Sequence, residues 1–326
     1  MSFPLFRSPG TVVFLDDDPD YLDMLALVLP SEWHVRLFLR PQDCINQLQQ
    51  EPPLWEADAW EQQQIIDQWR ERGTPLIPQI LRYWARHSGR YALAQVCVVD
   101  YSMPAMNGLQ ALGELVDWPG LRVLLTGQAD ELIAVKAFNQ GLIEQFITKQ
   151  APDVSRRLID AIQQLQATAS GRHSQTWRAT LSPTQHALLR VPSVARELAE
   201  VVARHWVEYV VIGDPFGILG MDADGRVGWL QLEPVKGLDE LAELAEAAGV
   251  GQPALAEIRQ GKKLADLELR QALGRKTPPD LNPAFPIGRE ESLLGALFAV
   301  GDEYHPTPSR GYRHWLAQQP RRHVKD

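Results

Sequence analysis

Five positions carry the residues most suited to chemistry, and each stands at the end of a short expected strand. Asp16 and Asp17 close Thr11–Leu15, Asp100 closes Val96–Val99, Thr126 closes Leu121–Leu125, and Lys149 follows Glu144–Thr148. Three carboxylates brought to one point repel unless a cation lies among them. Hard oxygen ligands suit Mg2+, which rarely receives an all-protein cage and leaves room for a phosphate oxygen. Within such a set Asp100 is the nucleophile toward phosphorus, giving an acyl phosphate. Lys149 offers a point charge to one phosphoryl oxygen, and the Thr126 hydroxyl offers a hydrogen bond to another.

These residues need elements that deliver them to one place. The first half alternates apolar runs with amphipathic stretches, the mark of a parallel α/β sheet, and ligands bind such sheets at the carboxyl ends of the strands. The predicted strands are 11–15, 34–39, 96–100, 121–125 and 144–148, alternating with helices over 20–29, 43–49, 108–116, 131–139 and 153–167. Pro19 suits a first helical turn, with Asp18 as its N-cap. Between the second helix and the third strand lies an insertion, about 50–90, rich in Trp, Gln and charge. It reads as two amphipathic helices, 57–71 and 78–88, and the insertion's Trp55, Trp60, Trp69 and Trp84 are expected to pack a helical pair onto this domain, with a partner-binding face as the alternative.

The set as placed resembles the receiver domain of two-component response regulators over residues about 9–170. The resemblance is carried by Asp16-Asp17 in FLDDDPD, Asp100 in VVDYSMPAMNG, Thr126 in LLTGQAD and Lys149 in FITK. Met103-Pro104-Ala105-Met106-Asn107-Gly108 matches the loop after the phosphoacceptor. The resemblance implies a flavodoxin-like, doubly wound five-stranded parallel sheet, and a sensor histidine kinase or phosphotransfer protein as phosphoryl donor. It also implies that the main-chain carbonyl of Ser102 completes the Mg2+ shell with Asp16, Asp17 and Asp100, and that Thr126 and Phe146 form the switch pair. The protein is then a phosphoacceptor in signalling, with no enzyme chemistry beyond its own phosphorylation and dephosphorylation. Gln150 stands where the family commonly has proline, and the insertion lengthens the separation of Asp17 from Asp100.

Beyond a polar stretch taken as a linker, 171–181, residues 182–326 read as a smaller α+β output domain. Pro183–Trp206 is expected as one long helix, with a break near Pro192. Its stripe of Leu188, Leu189, Val194, Leu198, Val201 and Val202 suits homodimerisation. Residues 209–221 and 226–232 flank Asp222-Ala223-Asp224-Gly225, a hairpin turn rather than a calcium loop, because no acid closes the loop at the required distance. Residues 238–263 match a helix-turn-helix pattern that would turn Gln252, Arg259, Lys262 and Lys263 toward DNA. An Ala-rich helical hairpin gives the same pattern by packing alone, and Asp239, Glu240, Glu243 and Glu246 oppose phosphate contacts. The main expectation is an interaction module switched by the receiver, and the alternative is a DNA-binding transcriptional regulator.

A net charge of −9, with 45% hydrophobic and 22% charged residues, fits an ordinary globular chain and opposes general coating of nucleic acid or anionic membrane. Cys44 and Cys97 are the only cysteines, so neither a disulfide framework nor structural zinc is expected. No segment reads as a signal peptide or membrane span, and the expected location is the cytoplasm.

Overall fold

In the computed structural model, residues 2–127, 131–169, 171–289, 292–320 and 322 are described. A two-residue strand, β1 (Phe6–Arg7), precedes β2 (Thr11–Leu15), and every residue of β2 is buried. α1 (Pro19–Val28) starts on proline, with the Asp18 carboxylate accepting hydrogen bonds from the Asp20 and Tyr21 amides. β3 (His34–Phe38), α2 (Pro41–Leu48), α3 (Pro52–Arg72), α4 (Leu76–Arg86) and β4 (Ala94–Asp100) follow, then α5 (Gly108–Gly113), β5 (Leu121–Thr126), α6 (Glu131–Asn139), β6 (Gln145–Thr148) and α7 (Val154–Ala169).

The strands pair in parallel in the order β3-β2-β4-β5-β6. Apolar side chains leave both faces, as a sheet covered on both sides requires. Val13, Leu15, Cys97, Val99 and Leu124 pack with residues of α2, α5 and α6, whereas Val12, Phe14, Val96, Val98 and Val123 pack with residues of α1 and α7. This is the expected doubly wound sheet. The buried Glu51 carboxylate ties it together, accepting from Arg36 at 2.6 Å, the Ala94 amide at 3.0 Å and the Trp118 indole at 3.3 Å.

The second half continues with α8 (Gly171–Arg178), α9 (Pro183–Leu189), α10 (Pro192–His205), β7 (Glu208–Gly213), β8 (Phe216–Met221) and β9 (Val227–Pro234). Next come α11 (Leu238–Ala247), α12 (Gln252–Arg259), β10 (Lys263–Ala265), α13 (Leu267–Ala272), β11 (Leu281–Pro283), β12 (Phe285–Ile287), β13 (Leu293–Ala299) and α14 (Tyr312–Ala317). A six-stranded sheet, ordered β1-β7-β8-β9-β13-β12, has every neighbouring pair antiparallel. The apolar run 209–221, expected as one arm of a hairpin, is two strands that turn at Asp214-Pro215. Pro215 lacks the N–H that a continuous strand would use.

The chain forms two compact units, neither continuous in sequence. One comprises Pro9–Trp60, Gly89–Ala169 and Trp315–Asp326; the other comprises Met1–Ser8, Glu61–Ser88 and Ser170–His314. The insertion therefore does not simply pack on the parallel-sheet unit. Trp84 is fully buried in the core of the antiparallel-sheet unit with Ile77 and Ile80, and Trp69 packs against the same core. Trp55 is buried, and Trp60 is exposed.

Residues 171–181 are not a linker either. They contain α8, whose Trp177 is fully buried and donates to Gln62 Oε1 at 2.8 Å. The stripe expected to pair two copies is likewise occupied within the chain. Leu189, Val194, Leu198 and Val202 are buried in the core of their own unit, and Leu188 and Val201 pack on it.

Candidate phosphoacceptor site

The parallel register brings the chemical residues to one end of the sheet. Leu15 is level with Val99, Asp100 with Leu125, and Thr126 with Thr148, so Asp16, Asp100, Thr126 and Lys149 all emerge at carboxyl ends. Carboxylate oxygens of Asp16, Asp17 and Asp100 lie within 4.8 Å of one another; Asp16 and Asp100 are buried, and Asp17 is exposed. Asp18 points elsewhere, into its capping role on α1.

Lys149 joins the acids. Its Nζ is 2.7 Å from Asp16 Oδ2 and 2.7 Å from Asp100 Oδ1. The remaining oxygens accept main-chain hydrogen bonds, Asp16 Oδ1 from the Asp18 amide at 3.1 Å and Asp100 Oδ2 from the Ser102 amide at 3.0 Å. Burial raises the Asp16 pKa, against the hydrogen bond and charge of Lys149. Burial also opposes the Lys149 charge, but hydrogen bonds to Asp100 and Asp16 outweigh it and leave the ammonium pKa above its usual value.

The loop after Asp100 depends on glycine. A Cβ at Gly108 would lie 2.3 Å from the Asp100 carbonyl oxygen, so only glycine lets α5 begin this close to the site. Asn107 caps α5 through a reciprocal pair with Gln110, each side chain accepting from the other's amide. The Ser102 carbonyl accepts no hydrogen bond among the described residues.

Two hydroxyls test whether a phosphoryl group and a cation fit here. Thr126 is fully buried, and its Oγ1 has no hydrogen-bond partner among the described residues. A buried hydroxyl normally has one, and a phosphoryl oxygen on the neighbouring strand end would supply it. The hydroxyl of Tyr21, on the first turn of α1, is buried and unpartnered in the same way. Sequence reading missed Tyr21, because on α1 it looks like any half-buried aromatic of an amphipathic helix. The three carboxylates outnumber Lys149, so the donor set suits a hard divalent cation. Phe146 is half-buried and packs on the core cluster containing Leu124 and Ile143.

No protein-family model matches the sequence, and no curated protein matches it. Among solved structures, the response regulator LqsR of Legionella pneumophila superposes with a TM-score of 0.74 at 24% identity, over 98% of this chain and 98% of that chain. The chain has the fold of a response regulator. Response regulator receiver domains from Clostridium thermocellum (16% identity, 51% of this chain, 98% of that chain, TM-score 0.31) and Methanospirillum hungatei (15%, 52%, 99%, 0.31) align with about half of it.

The residues expected to face DNA do not form one free basic surface. α11 and α12 are present, and Gly249 turns between them at φ +88°. Ala245, Leu255 and Ile258 are buried in the core of the antiparallel-sheet unit, so packing alone accounts for the pattern. Gln252 donates to Glu246 at 2.9 Å, and Lys263 lies on β10 with its Nζ 2.8 Å from Glu257. Arg259 and Lys262 are exposed. Among the described residues no helix is long and apolar enough to cross a membrane.

Proposed function

We propose that the chain is a phosphorelay response regulator that accepts a phosphoryl group on Asp100, with Mg2+ as cofactor. The observation that carries this reading is the meeting of three carboxylates, one lysine and an unpartnered threonine hydroxyl at the carboxyl end of a parallel sheet. Asp16, Asp17, Asp100 and the Ser102 carbonyl would hold Mg2+. When bound, the ion neutralises charge on the carboxylates and the phosphoryl oxygens.

An Asp100 carboxylate oxygen forms the new bond to phosphorus as the bond to the donor breaks. The donor, a phosphohistidine of a sensor kinase or phosphotransfer protein, leaves with that electron pair and takes a proton from solvent. Lys149 moves its charge toward a phosphoryl oxygen, and Thr126 donates to another. Lys149 then changes partners and the Thr126 hydroxyl gains one, which biases the receiver between two conformations. The antiparallel-sheet unit is read as the output module that responds.

Mass spectrometry after incubation with a small phosphodonor and Mg2+ tests the reading. Wild type is expected to gain one phosphoryl mass, labile at alkaline pH, and Asp100→Asn to gain none. Equal labelling of both would exclude Asp100 as the acceptor.

A further inference from the structure

Tyr21 stands beside the site without belonging to its expected set. The Lys149 Nζ lies 4.5 Å from the centroid of the Tyr21 ring, and the same nitrogen bridges Asp16 and Asp100. A phenylalanine would present the same face to the ammonium, so packing and cation–π attraction explain the ring but not the hydroxyl. Buried tyrosine hydroxyls usually find a partner, and this one has none among the described residues. The charges acting on it are those of Lys149, Asp16 and Asp100. The carboxylate oxygens on Asp16 and Asp100 already accept from Lys149, Asp18 and Ser102. None of them accepts a hydrogen bond from the Tyr21 hydroxyl, and a phosphoryl oxygen arriving on Asp100 would give it an acceptor.

We infer that the Tyr21 hydroxyl donates a hydrogen bond to a phosphoryl oxygen carried on Asp100, making Tyr21 a phosphoryl-binding residue alongside Thr126 and Lys149. The inference rests on Asp100 being the phosphoacceptor. A phosphoryl group brings three oxygens, each able to accept more than one hydrogen bond. A donor from α1 therefore adds to those from the strand ends rather than competing with them. The hydroxyl stays unpartnered while Asp100 is free and gains its partner when Asp100 is loaded.

The test uses the full chain and beryllofluoride, which forms a stable tetrahedral adduct on a carboxylate in the geometry of a phosphoryl group. Affinity is measured by calorimetric titration in the presence of Mg2+, and thermal unfolding is followed without beryllofluoride. Tyr21→Phe is expected to bind beryllofluoride roughly tenfold more weakly, the effect of losing one hydrogen bond to a charged group. Without beryllofluoride it is expected to unfold at the same or a higher temperature, because it removes an unpartnered polar atom. A residue with only a structural role would show neither part of that signature.

Equal beryllofluoride affinity for wild type and Tyr21→Phe overturns the inference and leaves the Asp100 reading standing. A lower unfolding temperature for free Tyr21→Phe also overturns it, because the hydroxyl would then have a partner in the resting protein. Wild type that does not bind beryllofluoride at all overturns both readings together.

Discussion

Replacing Lys149 by methionine keeps most of the side-chain stem and removes the charge that joins Asp16 to Asp100. At 2.7 Å and an effective dielectric constant near 20, each contact is a gross attraction of about 6 kcal/mol. Most of that is offset by the cost of desolvating the three groups. Without the lysine, the Asp16 and Asp100 oxygens, within 4.8 Å of each other, repel by at least about 3.5 kcal/mol on the same scale. The Lys149 side chain is 24% exposed, so solvent screens part of this. A net destabilisation of about 2–4 kcal/mol at neutral pH follows, a fall in Tm of about 5–10 °C.

The deficit should shrink with acid. Burial already raises the Asp16 pKa, and losing the lysine raises it further. A carboxyl whose folded pKa exceeds its unfolded value gains stability for the folded state as pH falls through it. Mg2+ should narrow the gap too, by replacing the lost positive charge. Scanning calorimetry of wild type and Lys149→Met at neutral and mildly acidic pH, with and without Mg2+, measures all of this. Equal Tm values at neutral pH, with equal responses to Mg2+, would refute the view that Lys149 compensates the acidic pair.

Three further outcomes are expected. Burial, with Glu268 and Glu240 adding repulsion, pushes the Glu233 carboxyl up to about 7. Its folded pKa is thus above the unfolded value of 4.5, and its ionisation costs stability as pH rises from 4.5 through 7. Glu233→Gln should therefore stabilise the protein on the order of 2 kcal/mol above pH 7 and hardly at all near pH 4.5; a pH-independent change in denaturant midpoint would contradict this. Glu51→Gln sets an NH2 group against the donors on Arg36, Ala94 and Trp118. It should cost about 2–4 kcal/mol in denaturant unfolding, and an unchanged midpoint would show that the tie contributes nothing. A fragment of residues 176–326 lacks β1 and α4, and with them Phe6, Ile77, Ile80 and Trp84 from the core; it should show no cooperative thermal transition by circular dichroism, and a sharp one would refute the role given to those pieces.

The candidate site was legible because its residues follow the ends of the expected strands, and a parallel sheet turns that placement into proximity. Asp18 before Pro19 was legible as a local capping requirement, whereas the need for glycine at 108 shows only in the closeness of the Asp100 carbonyl oxygen. What a buried face packs against is a different question. The pattern on α4 announces an apolar face, but nothing in it says that Trp84 joins the second core rather than the first. Trp177 sat in a stretch that reads as polar, where one buried indole settles the conformation and composition does not show it. The three-residue strands β10, β11 and β12 are too short for alternation to register against their neighbours. Tyr21 was invisible for another reason. Its helix predicts a half-buried aromatic at that position, and only the unpartnered hydroxyl marks it out.

The alternation of the two units along the chain has a bearing on how such a protein can change over generations. Six segments take turns between them, so the polypeptide passes from one to the other five times. A crossover near residue 170 would leave β1 and α4 with the parallel-sheet unit, whose own core lies within residues 12–165, and would strip Phe6, Ile77, Ile80 and Trp84 from the core of the antiparallel-sheet unit. The antiparallel-sheet unit therefore cannot be passed on whole by one recombination between two coding stretches, and it is inherited together with the parallel-sheet unit.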